Sequence, residues 1–180
     1  MEINLKKQIE ENLPKFFNYK NKLEYPKLEK IVLNIGIGKF VTSNPQNTNK
    51  IVEEAIYALS MISGQKPKVV KSKKSVSSFK LKKGMPVSVV VTLRREKMYD
   101  FLSRFIIYGL PRYKDFRGIY KEHFDKDYNL NFGFKEISVF PEAISDKIHY
   151  NFGLGVNIVV SAKKKEDKLK FFEMLGLPLK

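Results

Sequence analysis

Cysteine is absent from all 180 residues, which removes disulfides, thiolate metal sites and cysteine nucleophiles and makes a reducing cytosol the natural setting. Long apolar runs are missing too. The longest, such as Val89-Val90-Val91, are far too short to span a bilayer, and the charged start Met1-Glu2-Ile3-Asn4-Leu5-Lys6-Lys7 has no apolar h-region behind it. A cytoplasmic protein with no membrane partner is expected. The third lack is of negative charge in one place: Lys66 to Lys83 contains no acid at all.

That gap is part of a larger imbalance. Lys plus Arg number 34 against 19 Asp plus Glu, a formal charge of +15. Between Lys66 and Arg117 stand fifteen basic residues and three acids (Glu96, Asp100 and Asp115), so this segment holds 15 − 3 = +12 and the rest of the chain only +3. The charge is a patch, and a patch of this kind speaks of polyanionic partners rather than of fold. Six lysines of its acid-free part, Lys71, Lys73, Lys74, Lys80, Lys82 and Lys83, repel one another unless a polyanion lies nearby, and Phe79 stands among them.

At this length roughly two-thirds or more of the surface of the unfolded chain can be buried, so one ordinary domain over 1–180 needs no metal or disulfide to hold it. Leu5, Ile9, Leu13, Phe16 and Phe17 have helical spacing, kinked or ended near Pro14. Leu28 to Ile37 alternates, with Ile31, Leu33, Ile35 and Ile37 on one face and Lys30, Val32, Asn34 and Gly36 on the other. Asn44-Pro45 predicts a capped entry to a second helix carried by Ile51, Ala55, Leu59 and Ile62 and stopped by Gly64. Lys66 to Val70 is a short strand candidate, and a basic loop at about 71–84 follows. Val87 to Leu93 alternates next, with Ser88, Val90 and Thr92 outward. Met98, Phe101, Leu102, Phe105 and Ile106 then predict a helix closed by Gly109 and Pro111. Asn129–Phe134, Glu136–Phe140 and Gly155–Lys163 read as three more strands, and Leu169, Phe172 and Leu175 as a last helix ending at Gly176. The sum is an α+β fold: a mixed or antiparallel sheet of about five strands, helices on one face, the other face open.

No catalytic apparatus is visible. Gly36-Ile37-Gly38-Lys39 fails as a phosphate loop because Leu33 and Val41 stand where glycine is required. Asp125, Asp127, Asn129, Asn131 and Glu136 have calcium-loop spacing, but Leu130 occupies the sharp-turn position, so a plain Asp/Asn turn is expected. His123 and His149 lack partners at ligand spacing. Neither an enzyme, nor a metal site, nor a cofactor is expected. An RNA-modifying enzyme or another basic RNA-binding protein is the alternative reading of the patch.

Several motifs together are more specific. Lys30-Ile31-Val32-Leu33-Asn34-Ile35-Gly36-Ile37-Gly38, Ile62-Ser63-Gly64-Gln65-Lys66-Pro67 and Gly84-Met85-Pro86, leading to Val91-Thr92-Leu93-Arg94, resemble the "L five" family of large-subunit ribosomal proteins. Pro111-Arg112-Tyr113-Lys114-Asp115-Phe116-Arg117-Gly118, Phe140-Pro141-Glu142 and Leu177-Pro178 continue the likeness in order. The resemblance implies a bacterial rather than organellar 5S rRNA-binding protein of the central protuberance. It would contact large-subunit rRNA, P-site tRNA, neighbouring 5S-associated proteins and a small-subunit head protein across the intersubunit bridge. By the same resemblance, 5S rRNA would be held by Lys30, Asn34, Gln65, Lys66, Ser88, Thr92 and Arg94. The loop bearing Lys71, Lys73, Lys74, Ser75, Phe79, Lys80, Lys82 and Lys83 would reach tRNA, and Arg112, Lys114 and Arg117 would supply further rRNA contacts.

Overall fold

The computed structural model describes residues 5–19, 21–114 and 116–180; Asp115, in the basic-aromatic run, lies outside them. In chain order the elements are α1 (Leu5–Phe16), β1 (Lys27–Gly36), α2 (Gly38–Ser43), α3 (Thr48–Ser63), β2 (Lys68–Lys71) and β3 (Pro86–Leu93). They continue with α4 (Glu96–Arg104), α5 (Leu110–Arg112), β4 (Leu130–Phe134), β5 (Leu154–Ser161) and α6 (Lys165–Met174). The strands form one open five-stranded sheet in the order β2-β3-β1-β5-β4, so the expected α+β class holds. Contacts divide into two compact units, Met1–Ile31 with Arg94–Phe132 and Asn157–Lys180, and Val32–Leu93 with Gly133–Val156.

In the second unit the strand alternation does the positioning. Leu33 and Ile35 of β1 and Val89, Val91 and Leu93 of β3 are buried, and α2 and α3 pack against β3. Helix α3 contributes Ile51, Ala55, Leu59 and Ile62, all fully buried, the Ile and Leu side chains each being worth roughly 1.5–3 kcal/mol. It ends at Gly64, whose φ of 60° is the left-handed cap conformation that glycine adopts without strain. β2 runs antiparallel to β3, with Val69 opposite Val89 and Val70 opposite Ser88. In the first unit α1 packs on α4 and α6, and Phe132 of β4 is held among Phe105, Tyr113 and Phe116 at ring-centre distances of 6.0, 5.9 and 6.0 Å.

Several local expectations are corrected. Phe16 is 55% exposed, whereas Ile9 and Phe17, eight positions apart and so on one side of the helix, are buried. Gly38 opens the short helix α2 directly after β1, and Asn44 makes no side-chain cap: Pro45–Asn47 form a single tight turn and α3 begins at Thr48. Helix α4 does not close at Gly109. A widened turn over Phe105–Gly109 carries it into α5, where Pro111 sits in the first turn and leaves no essential N–H unpaired. Glu136–Phe140 is not a strand. Ile137–Val139 and Pro141–Ala143 are two tight turns, and because residues three apart eclipse in such turns, Ile137 and Phe140 are buried together.

Candidate nucleic-acid interface

On the outward parity of β1 and β3 the second unit carries a polar cluster. Asn34 is exposed, and its Oδ1 accepts from the Ser88 hydroxyl, which also lies 3.1 Å from the carbonyl of Ile35. One hydroxyl proton cannot satisfy both acceptors at once, so Asn34 keeps hydrogen-bonding capacity for an outside partner. Thr92 is exposed four residues further along β3, and its carbonyl accepts from Gln65 Nε2 at 3.4 Å. Gln65 is itself placed by the helix stop, where its N–H donates to Ser63 Oγ at 3.3 Å. Gln65, Lys66, Lys68, Val70, Lys71 and Thr92 line an open groove of about 540 Å³. Four of the expected 5S residues, Asn34 with Ser88 and Gln65 with Thr92, are thus brought into two bonded pairs; Lys66 lies exposed in the groove wall.

The other two expected residues belong to the first unit. Lys30 is half-buried on the same parity of β1 as Asn34, and Arg94 is exposed immediately after β3. Arg112, Lys114 and Arg117 are all exposed around the end of α5.

The basic loop has more order than its lack of periodicity suggested. Its base is closed where the Ser72 N–H donates to the Met85 carbonyl at 2.8 Å and the Gly84 N–H to the Ser72 carbonyl at 2.9 Å. Further out, Val76 and Leu81 exchange two backbone bonds of 2.9 and 3.1 Å around a tight turn, Ser77–Phe79, with Lys80 left-handed at φ 52°. Ser75 Oγ accepts from the Lys83 N–H at 3.0 Å, and Ser72 Oγ donates to the Lys74 carbonyl at 2.7 Å. The serines therefore shape an arm rather than decorate a loop. At its tip Phe79 is 69% exposed, and Lys71, Lys73, Lys74, Lys80, Lys82 and Lys83 are all exposed with no acid in the arm to neutralise them.

A family model described as "Ribosomal protein L5" matches residues 21–82, and one described as "ribosomal L5P family C-terminus" matches residues 86–179. The chain belongs to the ribosomal protein L5 family. Members of the ribosomal protein L5 family are structural, non-enzymatic constituents of the large subunit. The large ribosomal subunit protein uL5 of Geotalea daltonii is 45% identical over 174 residues, 97% of this chain and 94% of the relative. The same protein of Geobacter sulfurreducens is equally similar, at 45% over 174 residues. That of Caldanaerobacter subterraneus subsp. tengcongensis is 45% identical over 172 residues, 96% of this chain.

Two clusters outside the expected list also emerge. Asn157 Nδ2 donates to Asn131 Oδ1 on the outward parity of β5 and β4, a pair that parity alone could have flagged. The acidic turn is tied up internally: Asp125 accepts from the Asp127 N–H (2.9 Å), the Asn129 N–H (2.8 Å) and Asn129 Nδ2 (2.9 Å). Partial burial pushes the Asp125 carboxyl up, but these bonds and nearby Lys168 outweigh it and hold it below the usual range. Lys165 pairs with Asp127 at 3.0 Å. The turn thus spends its oxygens on itself and on lysine.

Proposed function

We propose that the protein is a 5S rRNA-binding constituent of the large ribosomal subunit whose grip lies on the outward strand face around Asn34, Ser88, Gln65 and Thr92. The observation that carries this reading is the pairing of Asn34 with Ser88 on an exposed face beside a lysine-walled groove. Such amides and hydroxyls, held by one another but not saturated, suit phosphate oxygens and 2′-hydroxyls, which are the contacts that separate RNA from a generic polyanion.

The lysine arm serves a different end. Its charge attracts any phosphate backbone with little sequence preference, and its exposed Phe79 offers a ring at the tip. We assign it to P-site tRNA, Arg112, Lys114 and Arg117 to further ribosomal RNA in the subunit, and Lys30, Lys66 and Arg94 to 5S rRNA. Neighbouring 5S-associated proteins and a small-subunit head protein across the intersubunit bridge complete the proposed surroundings, on a bacterial ribosome like that of the relatives.

The test is a competition at about 0.15 M salt, where exposed charges are screened beyond about 8 Å. Labelled 5S rRNA should be retained against an excess of tRNA and of an unrelated structured RNA of equal length. Equal displacement by all three would reduce the protein to a charge-driven binder and defeat the assignment.

A further inference from the structure

The first unit contains a column of rings that the strand-face reading does not use. Phe132, buried in β4, stacks on His123 with ring centres 5.4 Å apart and planes at 25°; His123 in turn stacks on Tyr120 at 6.2 Å and 24°. The column ends in solvent, since Tyr120 is 41% exposed. Its upper part is fixed by the backbone. The Tyr120 N–H donates to His123 Nδ1 at 3.0 Å and the His123 N–H to the Tyr120 carbonyl at 3.0 Å. The segment's other end is clamped where the Ile119 N–H donates to Pro178 at 2.8 Å and the Lys180 N–H to Ile119 at 2.9 Å. Gly118, at φ +109°, lets the Lys180 stem pass within 3.1 Å of where a Cβ would stand.

Around this ring the charge favours an anion. Arg117 and Lys121 are exposed on this segment and Lys180 on the C-terminal stretch clamped to it, with Glu122 the one acid among the described residues 116–123. Lys180 Nζ lies over the Tyr120 ring at 6.0 Å, and the Tyr120 hydroxyl is only 3.4 Å from the Arg117 carbonyl, a loose contact. An exposed aromatic face on a rigid support with cations at its rim is what an unpaired base and its phosphate recognise: the base takes the face, and the ammonium now over the ring turns to the phosphate.

We propose that Tyr120 is a stacking platform for one unpaired base of ribosomal RNA, backed by His123 and Phe132, with Lys121, Arg117 and Lys180 as its phosphate contacts. This rests on the chain's binding ribosomal RNA, but not on which surface grips 5S rRNA. His123 is here a positioning residue: its ring supports Tyr120 and its Nδ1 holds the Tyr120 backbone.

The test uses the full chain, a fluorescent single-stranded uridine decamer and a double-stranded RNA of the same length. Tyr120→Ala should weaken decamer binding roughly 5- to 150-fold while leaving the duplex unaffected, since stacking needs a base with an accessible face. Tyr120→Phe, which keeps the ring, should bind the decamer like the parent. A second measurement needs no variant: photo-cross-linking a 4-thiouridine decamer to the parent should label the tryptic fragment Gly118–Lys121. Unchanged decamer binding by Tyr120→Ala, equal loss on both probes, or cross-links that avoid that fragment would each overturn the proposal. 5S rRNA binding measured alongside keeps the two readings apart: loss of the decamer with 5S retained supports the platform alone, and a cross-linked fragment in a parent that ignores 5S sinks only the strand-face assignment.

Discussion

Replacing Asn34 by alanine removes an exposed amide whose Oδ1 accepts from Ser88 and whose remaining capacity faces outward. In the free protein the loss is small, because Ser88 can give its proton to the Ile35 carbonyl 3.1 Å away and the site is open to water. Stability should therefore change by no more than about 0.5 kcal/mol, the usual range for an exposed position. In the complex the balance differs. If the amide is buried against RNA, its deletion strands an RNA donor or acceptor, at about 1 to 3 kcal/mol, or roughly a 5- to 150-fold rise in Kd for 5S rRNA. Asn34→Asp sharpens the test: it keeps an acceptor for Ser88 in the same shape but removes the amide donors and sets a negative charge against phosphate, so it should bind more weakly than Asn34→Ala. Isothermal titration at two salt concentrations is the assay. Neither variant removes a cation, so for alanine the slope of log K against log salt should stay that of the parent. Parent-like affinity in both variants, with unfolding midpoints unchanged, would refute the placement of the contact on this face.

The arm makes the opposite prediction. Replacing residues 73–83 by a short turn preserves the base bonds of Ser72 with Met85 and Gly84, so most 5S affinity should survive while peptide synthesis by reconstituted ribosomes falls; loss of 5S binding would reverse the roles of arm and strand face. Glu54, 6% exposed on α3, accepts from the His149 N–H at 2.9 Å and pairs with His149 Nδ1 at 3.1 Å. Glu54→Ala should cost about 1 to 3 kcal/mol in urea unfolding, with Glu54→Gln recovering part through its remaining acceptor; two parent-like curves would mean that this pin carries no load.

Most strands were legible because burial on one side imposes a period of two that few other arrangements share. Leu33, Ile35, Val89, Val91 and Leu93 are all buried on the parity read from sequence. Where the reading failed, two periods fitted the same letters. Ile137 and Val139 satisfy a strand's alternation, yet tight turns bury them, and Phe140 with them, equally well, and only Pro141 hinted that the ladder would stop. Gly109 was read as a helix stop because glycine so often is one, whereas its φ of −63° is helical and it is buried. At the candidate interface, parity flagged Asn34, Ser88 and Thr92 individually. Their bonding was invisible, since the Asn34–Ser88 contact joins residues 54 positions apart.

The order found in the arm changes what its charge can do. A floppy loop carrying six lysines would lose much of its attraction to the entropy of being fixed on a target, and its lysines would spread apart in the free state. Here Ser72, Ser75, the Val76–Leu81 pair and the turn at Ser77–Phe79 hold the backbone against that repulsion, so part of the ordering cost is met on folding. The consequence for recognition is geometric. Lysines contribute attraction without sequence preference, but a shaped arm presents them in a fixed pattern and places Phe79 at a defined tip, so under the proposed function it would select a backbone by its curvature while the strand face would select by hydrogen bonds. On the proposed function, specificity would come from hydrogen bonds on the strand face and from shape in the arm, with the arm's charge supplying reach rather than discrimination.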